Sequence, residues 1–195
     1  MSAPLRGRRR TLAAMILMAG YGSHSLAQAP IYKSPTRAGL MVERWRHEGD
    51  PEKFFDVPGD DLRYELWLAS REQKNGLMIF FRSAENAYAD LMRESVLRNE
   101  EVHSYFKARL RTIVLERNSD RPLINPAGKP STEARIASEA GVTRSPAFVF
   151  FDLFGELRYV HQQPIFDAGA MISFARCMAD GIYSRAEVER ILHGG

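Results

Sequence analysis

Cysteine is almost absent from this chain: Cys177 is the only one in 195 residues. One thiol cannot form an internal disulfide, so stability must come from an apolar core. The chain has no cysteine cluster to bind a metal. His47, His103, His161 and His193 show no H-x-x-x-H or related spacing, so no metal ligands are assigned. The sequence contains no G-x-S-x-G, no G-x-G-x-x-G and no P-loop. Hydrolase, dinucleotide and nucleotide readings therefore have no anchor, and no cofactor is implied. Repeats and low-complexity tracts are also missing.

The first 27 residues read as an export signal. Arg6, Arg8, Arg9 and Arg10 form a basic head, and Thr11 to Gly20 form a short apolar stretch. Ser25-Leu26-Ala27 and Ala27-Gln28-Ala29 both fit a small-x-small cleavage pattern. Cleavage after Ala27 is favoured, because the alternative sets Pro30 beside the scissile bond. The apolar stretch is too short to span a bilayer as a mature anchor. An ordinary secretory signal is preferred to a twin-arginine one, since any basic head can supply Arg9-Arg10. The expected location is periplasmic or otherwise exported.

Removing the signal changes the charge argument. The chain has 27 Lys+Arg and 24 Asp+Glu. Four of the cations and none of the anions lie in the signal, which leaves 23 against 24 and a net charge of −1. The basic balance belongs to the export segment, so nucleic acid is not indicated as a partner. The remaining 168 residues (195 less 27) suit one domain.

Residues 28–59 carry Pro35, Gly39, Gly49, Pro51, Pro58 and Gly59 and read as a loop-rich extension, with a short helix near Leu40 to Arg46. Asp60 or Asp61 can cap a helix running to about Gln73, with Gly76 as its stop. Leu77 to Phe81 is a continuous apolar run, the pattern of a strand buried on both faces. Ala87 to Leu97 reads as a helix with Tyr88, Leu91, Met92 and Val96 near one face, and Asn99 caps another from Glu100 to Leu110. Arg111 to Leu115 is a β-branched strand. Asn125-Pro126-Ala127-Gly128 is a turn or hairpin tip. Ser131 or Thr132 opens a helix that Gly141 ends. Ala147 to Phe151 is a second apolar strand, joined through Asp152-Leu153-Phe154-Gly155 to a partner over Glu156 to Gln162. A helix from Asp167 to Ala179 and a short one from Arg185 to Leu192 close the chain. This order predicts an α/β fold with a central mixed sheet flanked by helices.

At this point the chain resembles the thioredoxin superfamily, and within it the SoxW-like periplasmic thioredoxins. The likeness covers Asp60 to Tyr183. It rests on Phe80-Phe81 before a strand-to-helix turn, Leu91-Met92, and Val102-His103-Ser104-Tyr105-Phe106. It also rests on Ser145-Pro146-Ala147-Phe148-Val149-Phe150-Phe151-Asp152 with Gly155, and on Met178-Ala179-Asp180-Gly181-Ile182-Tyr183. The resemblance implies a thioredoxin-like fold over 60–183, with a short C-terminal helix in 184–195.

It also implies a loss. Where such proteins carry C-x-x-C, this chain has Asn86, Ala87, Tyr88 and Ala89. Disulfide exchange needs one thiolate to attack and a second thiol to resolve. An amide and a methyl can do neither. The carboxylate that assists proton transfer in many thioredoxins would fall near Phe80 and is also missing. Ser145-Pro146 fits the family's cis-proline site, where the preceding backbone pairs with an extended substrate. A periplasmic protein or peptide partner could then lie along Arg144, Ser145 and Pro146; alternatively, Pro146 only shapes a strand entry. Asn86 reads as a helix cap or as a peptide donor, and Tyr88 as a recognition aromatic or a rim residue. No catalytic residue is assigned. The expectation is a non-catalytic binding or accessory factor of the cell envelope. Two alternatives stay open: an atypical oxidoreductase using Cys177 with an external thiol, and a structural subunit of an envelope complex.

Overall fold

The structure is a computed structural model and describes residues 54–56, 58–84 and 86–193. The expected signal, and the short helix near residues 40–46, lie outside the described residues.

In chain order the elements are α1 (Leu62–Arg71), β1 (Gly76–Arg82), α2 (Ala87–Glu94), α3 (Glu100–Arg109), β2 (Arg111–Glu116), β3 (Pro122–Ile124), β4 (Pro130–Thr132), α4 (Glu133–Glu139), β5 (Ala147–Asp152), β6 (Leu157–His161), α5 (Ala168–Ala179) and α6 (Arg185–His193). The main sheet has the order β2-β1-β5-β6. β1 runs parallel to β2 and antiparallel to β5, and β5 is antiparallel to β6. β3 and β4 form a separate small hairpin. This is a thioredoxin-like α/β fold, with a central mixed sheet flanked by helices.

Strand periodicity divides the core into two layers. Met78 and Phe80 of β1 pack with Phe148 and Phe150 against helices α2, α3 and α5. Leu77, Ile79 and Phe81 face the other way, towards Leu62 and Leu66 of α1 and Ile136 of α4. These five apolar residues of β1 are at most 2% exposed, which is why this strand reads as an unbroken apolar run.

Several boundaries differ from the sequence reading. α1 stops at Arg71, and the left-handed residue after it is Gln73 (φ 58°), not Gly76. Gly76 is instead the first residue of β1. A Cβ there would run into the Phe151 carbonyl oxygen and sit 2.6 Å from the Phe150 ring, so its role is to allow β5 to approach. α2 ends at Glu94, and the chain continues into a short 3₁₀ turn over Val96–Arg98. The buried face of α2 is Ala89 and Met92, while Tyr88 and Leu91 point outward.

The end of the expected loop-rich extension enters the core. Phe54 and Phe55 are buried, and Phe55 stacks on Phe80 with ring centres 5.6 Å apart. Next to them Asp56 lies along the outer edge of β2. Its N–H donates to Thr112 O (2.6 Å), and its carboxylate accepts from Thr112 N (3.0 Å) and Lys107 Nζ (2.9 Å). Covering the edge in this way satisfies backbone groups that a bare strand would leave open. Close by, Glu65 is 1% exposed and takes Arg111 Nε at 2.5 Å and Gly59 N–H at 2.6 Å. Burial pushes its carboxyl up, against the pull of Arg111.

Gly76→Ala should destabilise the fold by about 2–4 kcal/mol, because neither the Phe151 backbone nor the packed Phe150 ring can retreat cheaply. Urea unfolding followed by circular dichroism measures this. Asp56 supplies a pH signature. Burial raises its pKa, but the Thr112 N–H, Lys107 and Arg111 outweigh burial and hold it below the ordinary 3.8. Its contribution to stability is therefore present above about pH 4 and is lost as pH falls through the lowered value. The stability gap between the native chain and Asp56→Asn should narrow as urea midpoints are taken from pH 6 to about pH 3.

Candidate functional site

The parallel and antiparallel neighbours of β1 bring two distant segments together. Phe81, near the end of β1, pairs with Ala147, the first residue of β5. The turn that leaves β1 for α2 therefore lies beside the loop that leads into β5. Asn86 sits in that turn with extended backbone (φ −102°, ψ 96°), as the N-cap of α2. The Ser145–Pro146 peptide bond on the facing loop is cis.

Asn86 bridges the two segments. Its Oδ1 accepts from Tyr88 N (2.9 Å), which satisfies one of the free amides of the first helical turn. Its Nδ2 donates to Ser145 O, and lies 3.2 Å from Ser145 Oγ. Both ends of the carboxamide are thus used, and the two roles left open by the sequence, cap and donor, are filled by one side chain. Ser83 Oγ and Ser145 Oγ are 2.8 Å apart and share a hydrogen bond, which adds a second tie between the same loops.

The loop before Pro146 is held from its other side by Gln162. Its Oε1 accepts from Thr143 N (2.8 Å), Thr143 Oγ1 (3.1 Å) and Arg144 N (3.2 Å), and its Nε2 donates to Gly141 O (3.0 Å). Arg117 Nη1 donates to Thr143 O (3.2 Å). Arg144 N–H and Ser145 C=O are therefore both engaged within the chain. Ser145 N–H has no hydrogen-bond partner among the described residues.

After Asn86, α2 carries apolar residues on both its buried and its exposed sides. Ala89 is 3% exposed and belongs to the core. Tyr88 and Leu91 are 58% and 53% exposed, and the Tyr88 ring lies 6.4 Å from that of Phe166, itself exposed. These three side chains form a small apolar shelf beside Asn86. Cys177 lies elsewhere, in α5 with Phe174 and Met178 in the larger core layer. It is 2% exposed, and burial pushes its thiol up. A reactive cysteine needs the opposite environment, exposed and electropositive. His161, at the end of β6, is held below its ordinary pKa, first by burial and then by the nearby Arg185. Among the described residues no three His, Cys, Asp or Glu side chains converge as metal ligands.

The structure brings Asn86, Tyr88, Ala89, Arg144, Ser145 and Pro146 to one end of the sheet. It adds Ser83, Gln162, Arg117 and Phe166, which the sequence reading did not single out. Gln162 follows β6 and Ser83 follows β1; a residue just past a strand end can reach a neighbouring loop, but no local pattern marks which one does.

No protein-family model matches the chain, and no curated protein matches it significantly. Solved structures do. A thioredoxin-fold protein from Helicobacter pylori aligns over 62% of this chain and 83% of its own, at 12% identity and a TM-score of 0.49. A DsbH oxidoreductase aligns over 60% and 79%, at 16% identity and 0.45. A yeast mitochondrial 1-Cys peroxiredoxin aligns over 62% and 84%, at 17% identity and 0.35. Among the described residues no helix is long and apolar enough to cross a membrane.

Removing Asn86 should separate its two functions. Asn86→Ala loses the cap and the tether and should cost about 1–2 kcal/mol. Asn86→Asp keeps an acceptor for Tyr88 N–H but has no donor for Ser145 O, so its loss should be smaller; urea titrations of both variants give the comparison. Cys177 should resist a thiol reagent such as DTNB in the native protein and react at once in denaturant.

Proposed function

We propose that this chain is an exported thioredoxin-fold protein, similar to the SoxW-like thioredoxins, that has given up dithiol chemistry and holds a protein or peptide partner at the end of the sheet where α2 begins. The observation that carries this reading is the Asn86 carboxamide. It stands where a C-x-x-C protein has its attacking sulfur, and it is spent on structure, with one end capping α2 and the other bound to Ser145. Ala89, at the resolving position, is a buried methyl. Phe80, where a proton-transferring carboxylate would fall, is buried among aromatic rings. None of these groups can exchange electrons with a disulfide.

The binding half of the reading is supported by what surrounds the turn. Tyr88, Leu91 and Phe166 expose apolar surface together, beyond the turn that Asn86 ties to Ser145, whose N–H has no partner among the described residues. Exposed aromatics beside an unsatisfied donor suit a protein contact. The same shelf also favours a second reading, a structural subunit whose end face is covered in an envelope complex. The redox alternative through Cys177 has no such support, since that thiol is buried and its pKa is raised.

The native protein should show no turnover in an insulin-reduction assay, and Cys177→Ser should change nothing. Turnover that disappears in Cys177→Ser would overturn the proposal. The double substitution Asn86→Cys with Ala89→Cys should confer measurable reductase activity. A folded double variant with no activity would count against the assignment of these two positions to the C-x-x-C site.

A further inference from the structure

We propose that the segment held at this surface is an extended acidic peptide, docked through one backbone hydrogen bond and two arginines, and not added as a full β-strand. This inference rests on the proposed function and names the chemistry of the partner.

A strand that pairs with one residue of an edge exchanges two hydrogen bonds with it, one to its C=O and one from its N–H. At Ser145 the first of these is taken, because Asn86 Nδ2 is already seated on the carbonyl oxygen. An incoming peptide N–H would have to share that oxygen, with the Asn86 amide also leaning on Ser145 Oγ. Arg144 N–H is likewise taken, by Gln162. What is left without a partner among the described residues is Ser145 N–H, which asks a ligand for an acceptor and offers it none.

The neighbouring charges also ask for an acceptor. Arg144 is exposed, and no carboxylate among the described residues lies within ion-pair distance of it or of Arg117. Arg117 is fixed beside the loop by its bond to Thr143 O. Other arginines at this end are neutralised: Arg82 by Glu116, Arg121 by Asp60. Of the described carboxylates on the segments that carry the apolar shelf, Glu94 is exposed without an ion pair, and two others have work within the chain. Asp90 pairs with Arg93 (3.8 Å), and Asp167 caps α5 through Ala170 N (2.7 Å). Arg117 is thus bonded to the loop that carries Arg144 and the Ser145 N–H, and Asn86 ties that loop to the helix that carries Tyr88 and Leu91. The ligand that complements all of them carries one main-chain carbonyl for Ser145, carboxylates for Arg117 and Arg144, and an apolar side chain for Tyr88, Leu91 and Phe166.

The test uses the full-length mature protein and three fluorescein-labelled blocked pentapeptides, measured by fluorescence anisotropy. The acidic probe is Asp-Glu-Phe-Val-Glu; in the other two, Gln or Lys replaces its acidic residues. The acidic probe should bind at least about tenfold tighter than the Lys probe, and its affinity should fall as NaCl is raised from about 50 to about 300 mM. Arg144→Glu should weaken the acidic probe about tenfold and bring the three probes closer together; Arg117→Gln should act in the same direction. Because Arg144 is exposed, a folded variant is expected, and a native-like urea midpoint confirms it. Leu91→Ser should weaken every probe alike.

If the Gln or Lys probe binds as well as the acidic one, and Leu91→Ser weakens all three, the acidic preference is overturned while partner holding at this face stands. An acidic probe indifferent to Arg144→Glu overturns the arginine clamp. If no probe binds at about 1 mM, this inference falls, and the insulin assay still decides the loss of redox chemistry independently.

Discussion

The burial of β1 on both faces is the constraint from which the rest of the structure follows. Five consecutive apolar residues cannot be left against water, so the chain must supply a layer above them and another below. Helices α2, α3 and α5 cover one side, and α1 and α4 cover the other. Neighbours on both edges of β1 complete its backbone hydrogen bonds. Once β5 runs antiparallel to β1, the exit of one strand lies beside the entry of the other. The closeness of Asn86 and Ser145, 59 positions apart, is a product of that pairing.

At this junction a thiol enzyme and this chain would ask different things of the same atoms. A helix N-terminus lowers the pKa of a cysteine placed there by offering unsatisfied N–H groups to the thiolate. Asn86 uses one of those groups as an ordinary cap bond and points its amide across the gap. The result is a junction stitched by neutral hydrogen bonds, with Ser83, Asn86 and Gln162 each contributing. These bonds hold the turn in place with uncharged groups. On the proposed function, a face held in this way would meet a partner with its donors already positioned.

Much of the frame was legible because its signals are local. Leu77–Phe81 and Ala147–Phe151 are uninterrupted apolar runs, and Asp61, Asn99, Thr132 and Asp167 cap the helices the sequence assigned to them or their neighbours. Gly141 and Gly155 take the left-handed turns expected of them. Illegible features depend on contacts between distant segments. Nothing local marks Gln162 as the clamp on Thr143, and the same apolar residue types occur at Leu91 and Met92, of which only Met92 is buried. Gln73 takes the left-handed position where a glycine was expected, and Gly76 answers a crowding problem set by a strand some seventy residues away. The site residues Asn86 and Ser145 were visible one at a time; their bond needed three dimensions.

The Asp56 edge has a consequence for where the folded unit starts. A cut at Asp60, which the proline- and glycine-rich composition invites, would remove the rings that lie over Phe80 and Phe106 and would strip Thr112 of the carboxylate and carbonyl-bound amide along its outer side. The shortened chain would then leave the N–H and C=O of Thr112 bare on the edge of β2 and the Phe80 and Phe106 rings uncovered, which favours edge-to-edge association. Phe54, Phe55 and Asp56 are thus a gasket, and the folded unit begins no later than Phe54.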